Sequence, residues 1–413
     1  MLKQIVFAVM LLITGVSIAQ NGTTSPYSFF GIGEIKFKGT AENRSMGGLN
    51  VFSDSIHLNI QNPASVANLR LVNFASGGSY KYVNQQTETE SQNATATTLD
   101  YFALGIPMGK FGASFGILPY TSVGYNLESI SDDVNKQYTG TGGMNKVFLA
   151  LAYQITPKFN LGIDANYNFG NVERKAIILE EDLLLGTREE IKSDLLGFNF
   201  NFGAEYKTMV TSDLQLTTSA TYSPATKFEV QGDRNISSIL VSSTGVVIPI
   251  DSREERLDDV EVTFPSQFTI GAGIGSPKRW FLGGQYTNTK TSNFNDPTLN
   301  FGTVDFVDAN KYRIGGFFIP RFNSISSYWY RAVYRLGVRY EETGINVRGE
   351  DINEYGISFG IGLPIGRLFS NVNVGFELGS KGTTNKGLVK ENFFNTFISL
   401  SLNDKWFEKR YID

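Results

Sequence analysis

The sequence predicts an all-β fold: a transmembrane antiparallel β-barrel of about fourteen strands. Three observations predict it. The first is strict alternation of side-chain character. Across 196–206, Leu196, Phe198, Phe200, Phe202, Ala204 and Tyr206 fall on one face of an extended strand, and Gly197, Asn199, Asn201, Gly203 and Glu205 on the other. The same period-two pattern recurs in 159–169, 372–379 and 394–402. Phe, Leu and Tyr opposite Asn, Gly and Ser fit lipid outside and a polar lumen inside. The second observation is that connections alternate between short and long, as they do when short turns face the periplasm and long loops face outward. The third is composition. With 43 Gly and 13% aromatic residues, the chain has the residues for bent strands and aromatic belts.

Taken in order, residues 1–19 read as a secretory signal peptide. Lys3 supplies the positive charge, Ile5 to Ile13 the apolar stretch, and Ser17-Ile18-Ala19 the small-residue cleavage site, leaving 413 − 19 = 394 residues. No later stretch approaches the ~20 apolar residues of a spanning helix. Residues 20–68 lack strand period and are expected to fold in the lumen as a plug or to lie in the periplasm. The barrel is expected over 69–404, with strands near 69–83, 94–108, 110–123, 143–156, 158–172, 191–207, 213–224, 258–275, 278–290, 302–319, 326–341, 352–364, 370–380 and 391–404. Long loops are expected at 124–142, 173–190, 225–257, 291–301, 342–351 and 381–390. Within them, Glu180 to Glu190 suggests a short helix, and Ile239 to Ile250 a hairpin above the barrel. A basic tail, 405–413, follows the last strand.

With no cysteine, the chain has neither disulfides nor thiolate chemistry, and its net charge of −4 argues against a nucleic-acid surface. The acids at Glu180 to Asp182 and Asp251 to Asp259 lack calcium-loop spacing and read as solvated loop charge. Gly271 to Gly275 reads as a strand, since no helix follows it. No cofactor or metal is expected.

Ser45-Met46-Gly47-Gly48, Asp54 and Asn62-Pro63-Ala64-Ser65 together resemble the N-terminal hatch of the FadL-like family of outer-membrane channels for hydrophobic compounds. The stretch from Phe111 to Tyr120, with Pro119, resembles that family's third strand, where the ladder is interrupted. Thr263-Phe264-Pro265 through Gly271, with Lys278-Arg279-Trp280, resembles a later hairpin. The ending Asn403 to Arg410 is similar to FadL-like barrels of the Bacteroidetes lineage. The resemblance implies a lumenal hatch, a lateral opening at the third strand and a hydrophobic cargo.

Pro119 removes a ladder donor, and Gly112 and Gly116 precede it. It marks either a lateral opening or a strand end near the outer rim. Asn62, Pro63 and Ala64 form either a gate at that opening or an ordinary Asn-Pro turn. Arg331, Arg335 and Arg339 share one strand face with Arg313 on the neighbouring strand. Arginine on the lipid face costs ~2–4 kcal/mol at the midplane, which places them in the lumen. There they hold a ligand carboxylate or pair with acids such as Glu205, Glu354, Glu377 or Asp164. His57, the single histidine, lies near Ser55 and Asp54, company too common to imply an enzyme. The leading expectation is therefore passive uptake of hydrophobic, fatty-acid-like compounds through an integral outer-membrane barrel bathed in lipid. The rival is a non-transporting barrel that serves a protein secretion or assembly complex in the same membrane.

Overall fold

The computed structural model describes residues 22–130, 133–242, 246–295, 304–365 and 370–405. The expected signal peptide and most of the basic tail lie outside them. In chain order the strands are β1 Glu34–Ile35, β2 Val72–Gln86, β3 Ser91–Met108, β4 Phe111–Ile130, β5 Val134–Thr156, β6 Phe159–Glu180, β7 Gly186–Met209, β8 Gln215–Ser223, β9 Thr226–Val241, β10 Val247–Arg256, β11 Val260–Phe264, β12 Gln267–Ser276, β13 Trp280–Thr289, β14 Val304–Phe306, β15 Ala309–Phe318, β16 Val333–Val347, β17 Glu350–Ile365, β18 Ser370–Lys381 and β19 Lys390–Asp404. β8 and β9 run end to end against β7, β10 to β12 against β8 and β9, and β14 and β15 against β16. Merging these gives a closed antiparallel barrel of fourteen strands. β19 pairs with β2 from Lys390↔Gln86 to Asp404↔Val72, which joins the last strand to the first wall strand and closes the barrel.

The two faces follow the sequence period. Phe198, Phe200 and Phe202 are exposed outward, whereas Asn201 and Glu205 are buried. Among the described residues no helix is long and apolar enough to cross a membrane. Strands do the crossing.

Several boundaries differ from expectation. The stretches 124–142, 173–190 and 342–351, expected as long loops, are largely strand, and 225–257 holds β9 and β10. Glu180 to Glu190 is the tip of the β6–β7 hairpin rather than a helix, because the ladder continues to Ile178↔Thr187. Apolar alternation ends where lipid ends, but backbone pairing does not need lipid. On β6 the outward residues are apolar at Leu161, Ile163 and Tyr167 and polar at Asn171, Glu173 and Lys175. On β7 they change between Leu196 and Asp194, directly alongside. The ten residues beyond this boundary carry the hairpin about 25 Å further out, at ~3.3 Å per residue and ~40° tilt. The inner face of this tower is apolar: Val123, Met144, Val172, Phe228, Val230, Val262 and Phe264 form one buried cluster with Ile32 of the N-terminal segment.

Candidate functional site: the lumen segment and the parted seam

Residues 22–68 contact inward-facing side chains on most sides of the wall. The segment takes its shape from local chemistry. Thr40 and Asn43 form a capping box on the single helical turn Ala41–Arg44. Gly47 (φ 71°) and Gly48 (φ 86°) turn the chain through the left-handed region. Asn62 caps the 3-10 turn Pro63–Asn68 by accepting from the Ala64 amide at 3.1 Å.

Charge fixes the segment to the wall. Arg44 Nε lies 3.2 Å from Glu377 Oε2, and Lys38 Nζ 2.7 Å from Asp164 Oδ2. Glu205 accepts from Ser53 Oγ at 2.6 Å and Asn68 Nδ2 at 2.8 Å, while Lys207 Nζ sits 2.8 Å from the same carboxylate. Arg313 donates to Gly48 O at 3.0 Å and pairs with Glu341 at 3.1 Å. Arg339 bridges Glu354, Glu377 at 2.7 Å and Glu341 at 3.3 Å, and Arg335 donates to Asn373 Oδ1 at 3.0 Å. These arginines are spoken for by protein groups. Arg331 is a correction: it lies in the exposed 3-10 turn Trp329–Arg331, over the Tyr328 ring, because β16 starts only at Val333. His57 Nδ1 is 2.6 Å from Asp54 Oδ2, and its other ring nitrogen is 3.1 Å from Asn371 Nδ2. Burial pushes the His57 ring down, but the Asp54 carboxylate outweighs it and leaves the imidazole above its ordinary value. Burial likewise pushes Asp54 up, and the His57 charge and hydrogen bonds bring it down to about 2.

Sequence reasoning missed the sockets that receive the segment. Gly162 of β6 and Gly203 of β7 are cross-strand partners. A Cβ on Gly162 would sit 2.5 Å from Ala64 N, and one on Gly203 2.3 Å from Asn62 Oδ1. Gly315 and Gly337 form a second cross-strand pair under Met46 and Gly47. Their signal was present in the sequence as glycine on the lumen face, but only pairing reveals which glycines oppose each other.

Asn62-Pro63-Ala64 thus packs on β6 and β7 and not on Pro119, which corrects the expected gate. Gly112 packs instead under Val66 and Ala67 of the same 3-10 turn, and Gly116 faces Phe102, Ala103 and Phe148. Pro119 does not end its strand either, since β4 runs on to Ile130 with a register shift between Pro119 and Thr121. What ends there is the seam with β3. β3 and β4 pair from Met108↔Phe111 up to Phe102↔Ile117 and then part. On the edge that β3 vacates, β4 takes β1, with Ile35↔Thr121 and Glu34↔Ser122, and Tyr120 O accepts from the Lys36 amide at 2.9 Å. Behind the parting lies a cavity of ≈ 410 Å³, lined in part by Leu118, Pro119, Tyr120, Phe228, Phe264 and Lys146. The Lys146 ammonium stands 3.8 Å over the Tyr120 ring.

The architecture matches solved outer-membrane channels. The CymD monoaromatic hydrocarbon channel superposes with TM-score 0.61 at 14% identity, over 91% of this chain and 100% of that one. The P. putida toluene transporter TodX gives 0.62 at 15%, over 90% and 100%. A Pseudomonas aeruginosa FadL homologue gives 0.60 at 12%, over 89% and 98%. At these identities the likeness is one of fold. No curated protein matches the chain. A family model described as BamG matches residues 1–413.

Proposed function

The chain belongs to the BamG family, and from that premise we propose that it acts as the barrel subunit of an outer-membrane protein complex, without transporting cargo of its own. One observation carries this. The neighbouring hairpins β6–β7 and β9–β10 expose Leu183 (58%), Leu184 (84%), Leu185, Val246, Ile248 and Ile250 well outside the apolar band. Lipid does not reach them, and a patch of apolar side chains exposed to water marks a protein contact. The contact is ready without rearrangement. Residues 22–68, by contrast, are tied into the lumen beside the cavity through ion pairs such as Arg44–Glu377, whose removal would leave charges unpaired. The test is a Leu184→Asp/Ile250→Asp double variant in membranes of the native host. On native gels after gentle solubilisation it should run as the free barrel while the wild type runs larger. Heat-modified mobility controls for folding. Identical migration of the two would refute the docking role.

A second reading, passive uptake of a hydrophobic compound, is favoured by the parted β3–β4 seam and the cavity behind it. In that reading β1 must leave β4 before cargo passes. Cysteines at Ile35 and Thr121, opposite each other in the ladder, should form a disulfide. Uptake of an apolar fluorescent probe that is unchanged by this lock would exclude the route.

A further inference from the structure

The upper β3 edge has no backbone partner on the β4 side. Over Ser91–Thr97, β3 pairs with β2 alone, and its other side meets no main-chain group among the described residues. Six of the nine residues from Ser91 to Leu99 are neither buried nor half-buried. This edge differs in kind from the outer edge of β10. β10 carries Pro249, a register shift beside it, and the charges Asp251, Arg253, Glu254, Glu255 and Arg256. Proline, bulges and charge are the devices that keep an edge from pairing with another chain. Ser91-Gln92-Asn93-Ala94-Thr95-Ala96-Thr97 has none of them. It is uncharged and rich in Thr, which favours strands.

The opening already accepts extended chain. β1 pairs with its opposite lip at Thr121 and Ser122, so strand addition here continues an existing contact. Seven residues at ~3.3 Å each span about 23 Å, enough for an ordinary strand of about five to six residues. We propose that the free edge of β3, Ser91–Thr97, takes a β-strand from a partner protein, which adds to the wall by backbone pairing. This rests on the complex-subunit reading and names the chemistry of the partner contact: an extended segment recognised through main-chain amides and carbonyls.

Hydrogen exchange followed by mass spectrometry tests it on the full chain, in the gently solubilised native assembly and as the isolated barrel. In the assembly, exchange within 91–97 should slow at least about tenfold at alternate residues relative to the isolated barrel. Thr95→Lys/Thr97→Lys, at exposed positions on the outward face, should return 91–97 to the exchange of the isolated barrel. Should that double variant fail to fold by heat-modified mobility, the wild-type comparison decides alone. An intact assembly with unchanged exchange at 91–97 overturns the strand contact and leaves the complex reading standing. Absence of any species larger than the barrel overturns both. Protection at 91–97 in an assembly made only of this chain assigns the strand to a second copy and overturns the partner protein.

Discussion

Gly337→Val should loosen the N-terminal segment while leaving the wall intact. Gly337 sits mid-strand opposite Gly315, where valine is a favourable strand residue, so the backbone itself has no objection. The new Cβ, however, would lie 2.1 Å from Gly47 N and from Met46 C. Both are backbone atoms of a turn fixed by left-handed glycines, and neither can swing aside as a side chain would. Overpacking of this kind costs about 1–3 kcal/mol. If that cost falls on docking, the undocked fraction rises about 5–150-fold. The assay is maleimide labelling of Leu49→Cys, a fully buried position in a chain with no native cysteine. Labelling through transient undocking should accelerate by the same factor. Gly284→Val is the control, since the nearest atom to its Cβ is Arg313 O at 3.7 Å. Equal labelling rates in the two variants would refute the socket argument.

Phe200→Arg should impair assembly into lipid vesicles by about 2–4 kcal/mol, whereas Asn199→Arg, facing the lumen cavity, should assemble nearly as wild type; gel mobility before and after heating reads both. Arg339→Met removes an ion-pair partner from each of Glu341, Glu354 and Glu377 and should cost about 3–5 kcal/mol in urea unfolding, against about 0.5 or less for exposed Arg331→Met. The Asp54–His57 pair gives a pH window. His57 is raised when folded, so its contribution is complete below its unfolded value of about 6.5 and fades as pH climbs through the folded value. Asp54 is lowered to about 2, so its contribution is complete above about 4 and fades as pH falls toward that value. The urea midpoint should therefore drop from pH 6 to pH 8.5 in wild type and stay flatter in His57→Gln; parallel curves would dismiss the pair.

Much of the wall was legible because lipid imposes a period of two on side chains. Phe200 outside and Glu205 inside follow from that period alone. The strand count followed from the same pattern with the turns. The tower above the membrane was not legible. From Asn171 to Lys175 the outward face is polar, so the alternation that marked the strand is interrupted while the ladder goes on. Arg331 was misplaced for a related reason: its spacing fits the strand, but a 3-10 turn precedes β16 and breaks the period before it.

The sequence by itself determined a membrane barrel, its inner and outer faces, and a lumenal home for Arg313, Arg335, Arg339 and Glu377. Each of these is a local consequence of which solvent a strand face meets. Only the tertiary structure decided where the N-terminal segment seats and what closes the seam. Asn62-Pro63-Ala64 rests on Gly162 and Gly203, and β1 takes the place of β3 on β4. Both depend on register between segments far apart in the chain. Register is set by the packing of all fourteen strands together, and no short window of residues carries it.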